Sequence, residues 1–227
     1  MGVWLLFSLL GMSATFVPET LPPAAGWSPA IPTAVGSLHS TARPAKGRFL
    51  VASRNLSDPN FSHSVVLLLA HEARGSMGVV INRPTSLRLA TLLPDLRELR
   101  DRTDHVSFGG PVAINAITLL LRTRHPPRKA EPVFGDVYAT GDLDNLREAL
   151  VAKGERADVR AYVGYAGWGA GQLEQEIARG DWYVGPADAG SVFDPSPTEI
   201  WDRLIDRFSG AWTRTSPGVA PLPPPRS

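Results

Sequence analysis

Gly167-Trp-Gly-Ala-Gly171, directly before the amphipathic segment Gln172 to Arg179, makes the strongest claim to ligand chemistry in this chain. Helix N-termini attract anions, and glycines let a phosphate approach the backbone. The spacing fits neither the dinucleotide fingerprint nor the P-loop, because residue 172 is Gln and no Gly-Lys-Ser/Thr follows. Glycines that allow a tight strand-to-helix turn explain the stretch without any ligand. Gly109-Gly110-Pro111 likewise reads as a sharp corner ahead of an anion-binding nest. Arg83 follows Asn82 at the expected end of a strand, where pairing with a neighbouring acid is favoured over gripping a carboxylate or phosphate. Tyr165 and Trp168 lie beside the glycine-rich stretch, and their apolar area favours packing over a stacking platform.

Catalytic constellations are thin. Glu174 and Glu176 stand two apart on a predicted helix and point to different faces, so they do not form a carboxylate pair, and Glu174 is expected to support the turn. His63 and His71 flank an extended segment about 26 Å long and cannot share a metal. Cysteine is absent, which removes thiol catalysis, disulfides and thiolate metal sites. No His-Glu-x-x-His, nucleophile elbow or cofactor motif occurs. The expectation is a protein that is not an enzyme and holds no metal or cofactor.

Apolar patterning supplies the elements that must carry these residues. Arg48–Ser53, His63–Ala70, Met77–Asn82, His105–Phe108, Ile114–Leu121, Val133–Thr140, Val159–Tyr165 and Trp182–Val184 read as strands. The second and third, joined by a short turn at Arg74-Gly75, should pair as an antiparallel hairpin. Leu89, Leu92, Leu93 and Leu96 recur at helical spacing, though Pro94 keeps that helix short. Leu143 to Leu150 carries a buried stripe, and Gln172 to Arg179 is a short helix ending at Gly180. Ser196-Pro197-Thr198-Glu199 spells a capping box before the apolar face of Ile200, Trp201, Leu204, Ile205 and Phe208. Hairpins with only some strand–helix alternation predict an α+β fold.

The 227-residue chain suits one domain with tails. Residues 1–45 form an expected Pro-rich, disordered extension, residues 46–209 the folded domain, and residues 210–227 a disordered Pro-rich tail. The apolar run at residues 3–12 is too short for an ordinary membrane span and lacks a preceding Lys or Arg. It reads as a weak export signal or, the favoured reading, as an upstream extension with little structural role. Residues 46–209 hold 20 Lys plus Arg against 21 Asp plus Glu, a balance of −1. Dedicated nucleic-acid domains carry a basic surplus, so the charge argues against DNA or RNA. The local cluster from Arg122 to Lys129 reads as a solvated loop.

Several segments together resemble the YqgE/AlgH family of bacterial proteins. They are Gly47-Arg-Phe-Leu-Val-Ala-Ser, Asp58-Pro-Asn-Phe61, Ser64-Val-Val-Leu-Leu, Gly78-Val-Val-Ile-Asn-Arg-Pro84, Phe108-Gly-Gly-Pro-Val112 and Gly164-Tyr-Ala-Gly-Trp168 with Gln172-Leu-Glu174. The resemblance covers nearly all of residues 46–184. It implies a mixed, mostly antiparallel sheet curled into a barrel-like core with helices packed outside, in a cytoplasmic protein. Some members carry a regulatory label connected with alginate production, and no catalytic residues carry over. The expected activity is binding or regulation, through a loop surface of Asp58, Phe61, Asn82, Arg83, Gly109, Gly110, Gly164, Trp168 and Gln172. Its partner would be a small anionic ligand or a protein. The alternatives are an enzyme acting on a phosphorylated or carboxylated small molecule, with Arg83 and the glycine-rich turns as anion cradle, and a DNA-binding regulator.

Overall fold

The computed structural model describes residues 43–151 and 157–213, with side chains to Ser209. The expectations for the signal-like run, for most of the Pro-rich extension and for residues 214–227 lie outside the described residues.

Among the described residues, ten strands form one curled sheet. They are β1 (Arg48–Ala52), β2 (Val65–Glu72), β3 (Gly75–Val80), β4 (Pro84–Arg88), β5 (His105–Phe108), β6 (Val112–Arg122), β7 (Glu131–Phe134), β8 (Val137–Thr140), β9 (Asp158–Gly169) and β10 (Trp182–Pro186). Their order is β10-β1-β2-β3-β9-β6-β8-β7, with β4 attached through β5 to β9. All pairs are antiparallel except β5 with β9. The fold is α+β, a half-barrel of mostly antiparallel strands with helices against it. The principal helices are α1 (Leu89–Leu92), α2 (Leu143–Val151), α3 (Gln172–Arg179), α4 (Ala189–Val192) and α5 (Ile200–Thr213).

The β2–β3 hairpin forms as expected, because two β-branched, nearly continuous apolar runs are separated by a turn too short for a crossover. Val133–Thr140 is instead two strands: Gly135, at φ 50°, turns the chain between β7 and β8. The capping box also does not form. Ser196 makes no side-chain cap, and Asp194 Oδ1 accepts from the Ser196 N–H at 2.7 Å ahead of a 3-10 turn. The apolar face that follows packs as expected, with Ile200, Trp201, Leu204 and Ile205 buried and the Trp201 indole donating to the Ala52 carbonyl at 2.8 Å.

Strand β9 is the partition of the molecule. Its period-2 alternation puts Val159 and Ala161 into one core with α1, α2 and β5, and Tyr162, Ala166 and Trp168 into the other with β1, β2, β3, β10 and α5. At its middle the chain crosses itself. Gly109 donates its N–H to the Val163 carbonyl and accepts from the Val80 N–H, both at 2.8 Å. A Cβ on Gly164 (φ +69°) would lie 2.2 Å from the Gly110 carbonyl oxygen, and one on Gly109 would lie 2.4 Å from the Gly164 carbonyl oxygen. The glycines at 109, 110 and 164 are therefore explained by backbone lying on backbone. Opposite Gly164, β6 bulges: the register jumps from Val112↔Tyr165 to Ile117↔Val163, which leaves Ala113 at φ 45° and Ile114 exposed.

Tyr162 is fully buried and its hydroxyl has no hydrogen-bond partner among the described residues. Burial pushes its phenol well above the ordinary tyrosine value, against a smaller opposing effect of Arg160. The native state thus holds this proton after the unfolded chain would lose it, so stability falls as pH rises past about 10, the ordinary phenol value. In an alkaline absorbance titration one phenol should ionise only as the protein unfolds. That late component should vanish in Tyr162→Phe; its survival there would exclude Tyr162 as its source.

Candidate functional site

Between β1 and β2 the chain makes a long turn whose shape is set from inside. Asp58 Oδ1 accepts from the Asn60 N–H at 2.7 Å, and the Asp58 carbonyl accepts from the Phe61 and Ser62 N–H groups. Two residues just beyond β3 hold this turn against the sheet. Asn82, buried, accepts from the Val65 N–H at 2.8 Å and donates to the His63 carbonyl at 2.9 Å. Arg83 Nη2 donates to the carbonyls of Ser62 at 3.2 Å and Pro59 at 3.4 Å. Burial against the turn lowers the pKa of the Arg83 guanidinium, and the charge of Asp58 opposes that shift. Arg83 thus spends Nη2 on its own chain, with the favoured acid partner, Asp58, near enough to act on its charge.

The facing wall is α3. The glycine-rich stretch before it is not the turn that its composition suggests. β9 runs through Gly167, Trp168 and Gly169, and only Gly171, at φ 71°, turns the chain into the helix. Gln172 Oε1 accepts from the Gly169 N–H at 3.0 Å, and its amide donates to Glu176 Oε1 at 3.0 Å. Glu176 Oε2 accepts from two indoles, Trp168 Nε1 at 2.8 Å and Trp182 Nε1 at 2.9 Å. The turn is therefore supported by Gln172 and Glu176, whereas Glu174 leaves on the other side of the helix toward His71 Nε2, 3.5 Å away. Both tryptophans are buried, and Phe61 from the opposite wall packs on them with centroids 6.0 Å from Trp168 and 5.8 Å from Trp182.

These walls enclose an open cleft of about 690 Å³. Asn55 to Phe61 line one side, and Gly167, Trp168, Gln172, Glu176, Arg179, Asp181 and Trp182 line the other. Of the nine residues expected from sequence, Asp58, Phe61, Trp168 and Gln172 meet here. Asn82 and Arg83 sit behind the turn that they hold, and Gly109, Gly110 and Gly164 belong to the strand crossing.

The fold and these segments have relatives. An AlgH-like family model matches residues 49–213. The chain belongs to the AlgH-like family. It is 38% identical over 173 residues to a UPF0301 protein of Streptomyces coelicolor, covering 72% of this chain and 86% of that one. It is 40% identical over 164 residues to a UPF0301 protein of Thioalkalivibrio sulfidiphilus, covering 71% and 88%. The solution structure of AlgH from Pseudomonas aeruginosa matches with a TM-score of 0.60 at 28% identity, covering 84% of this chain and 100% of that one. A crystal structure from Corynebacterium diphtheriae, DIP2367, shares the fold alone, with a TM-score of 0.63 at 24% identity over 73% of this chain and 88% of that one. These names state a family and no enzymatic activity.

Within this AlgH-like domain one further polar row has the look of catalysis. The register places His71, Ser76 and Trp168 side by side across β2, β3 and β9. Ser76 Oγ lies 2.8 Å from His71 Nδ1, and Glu174 faces the other ring nitrogen. A nucleophile must reach substrate, however, and Ser76 is only 6% exposed and does not line the cleft. The row ties α3 to the sheet. Among the described residues no group of His, Cys, Asp or Glu could hold a metal ion, and no helix is long and apolar enough to cross a membrane.

Proposed function

We propose that this AlgH-like domain is a binding module that holds its ligand in the cleft between the Asn55–Phe61 turn and α3, without making or breaking bonds. The observation that carries this reading is how the polar atoms around the cleft are spent. Asn82 and Arg83 hold one wall, Gln172 and Glu176 hold the other, and an aromatic contact of Phe61 with Trp168 and Trp182 joins the two at the floor. Such hydrogen bonds preorganise a surface, which saves the ordering cost of binding. The volume is within the range of small-molecule sites, about 300–1,000 Å³.

A thermal-shift screen of the full chain against amines, organic acids, phosphates and nucleotides tests this. One class should raise the melting temperature, since a ligand at about 100 times its Kd adds about 2.7 kcal/mol. The shift should be lost in Phe61→Ala and kept in Ile114→Ser, whose side chain is exposed on the β6 bulge. A panel without any shift, or a shift that survives Phe61→Ala, removes the cleft as the site.

A further inference from the structure

Resting on that reading, we infer that the group the cleft recognises is an organic cation, an ammonium or guanidinium, seated on the Glu176 and Asp58 carboxylates beside the aromatic floor. The charges of the lining residues decide the sign. Three carboxylates face the cleft, those of Asp58, Glu176 and Asp181, with a single cation, Arg179. Arg179 is already committed, donating through both Nε and Nη2 to Asp181 Oδ2. Arg83, the other cation at this turn, does not line the cleft; it gives Nη2 to backbone carbonyls, and its charge offsets part of that of Asp58. An anion entering here would meet two carboxylates and no uncommitted cation among the lining residues.

The way Glu176 is held sharpens the inference. Its three donors are two indole N–H groups and one carboxamide, all neutral. They fix the position of the carboxylate without cancelling its charge, and a charge so held has unmet affinity for a counter-ion. Phe61, the half-buried ring of the floor, adds to the same preference where it lines the cleft, because ring faces attract ammonium and guanidinium groups and leave anions unrewarded. Asp58 stands on the opposite wall, so a cation between the walls meets negative charge from both.

The test uses the full chain, with binding read by intrinsic tryptophan fluorescence and isothermal titration calorimetry. Agmatine and spermidine serve as free cations, an end-blocked Lys/Arg peptide as the same chemistry on a chain, and citrate and inorganic phosphate as anions. Saturable binding of the cations and not of the anions is expected. Glu176→Gln, which keeps hydrogen-bonding oxygen and amide groups, should weaken it by about tenfold or more, equivalent to about 1.4 kcal/mol. Asp58→Asn, which can still accept from the Asn60 N–H, should weaken it several-fold without disturbing the floor. Raising the salt from about 0.05 M to about 0.5 M should weaken it further, through screening of charges that remain partly exposed. Anions that saturate where cations do not would overturn the inference and leave the cleft reading standing. Cation binding unchanged in both variants would overturn the placement on these carboxylates. Absence of binding by either class would remove the inference and the cleft reading together. Binding of the peptide alone points to a protein segment as the source of the cation, and binding of the free amines points to a small molecule; either supports the cation.

Discussion

Gly164→Ala should lose about 4 kcal/mol or more of stability, whereas Gly171→Ala should cost only about 1–2 kcal/mol, the ordinary strain of a left-handed L-residue. The two glycines share nearly the same backbone angle, φ +69° and +71°, so local strain cannot separate them. Their surroundings do. A Cβ at residue 171 meets nothing within 4 Å, whereas one at residue 164 would stand 2.2 Å from the Gly110 carbonyl oxygen. Neither strand can retreat, because Gly109 is tied to Val163 on one side and to Val80 on the other. Relieving the overlap means breaking those bonds inside two cores, a cost of about 4 kcal/mol or more against a typical total of about 5–15 kcal/mol. Urea unfolding followed by circular dichroism measures both variants. Equal midpoints would show that the crossing is softer than its geometry indicates.

Glu176→Ala should cost about 3 kcal/mol, although Glu176 lies on a short, largely exposed helix. The loss comes from what remains: the Trp168 and Trp182 indoles are 5% and 2% exposed, and both would lose their acceptor at once. Partial access of water to α3 reduces the figure below the sum of two fully buried bonds. Glu176→Gln should recover most of the loss, since a carboxamide oxygen can accept from the same indoles. Fluorescence-detected unfolding separates the two variants. A Glu176→Ala chain within about 0.5 kcal/mol of the parent would mean that the indoles find water without penalty.

Much of the frame was legible in the chain. β2 and β3 announced themselves because strands covered on both faces are apolar throughout. The bounds of α3 are legible because the glycines at its ends, Gly171 and Gly180, both adopt left-handed angles. The glycine-rich motif misled because Gly167 and Gly169 alternate with Trp168, which is the period of a strand whose outer face is bare. The cleft was half visible. Asp58, Phe61, Trp168 and Gln172 stand out in the sequence, whereas Glu176 and Trp182 do not. A signal for Glu176 existed: it stands three residues from buried Leu173 and four from Gln172, hence on their side of the helix. Trp182 stands six residues beyond Glu176, and its return rests on the left-handed turn at Gly180, at φ 86°, which the residue pattern alone does not aim. The roles of Asn82 and Arg83 were hidden too, since their partners lie about twenty residues upstream on a separate turn.

The strand shared by both cores bears on how the protein must emerge from the ribosome. Neither apolar cluster can close until β9 has left the exit tunnel, although more than half of the described chain precedes it. Nascent β1 to β8 would wait with unpaired edges, exposed to premature association. Rapid completion of synthesis beyond β9, through β10 and α5, or shelter by a chaperone until then, is thus a demand written into the topology.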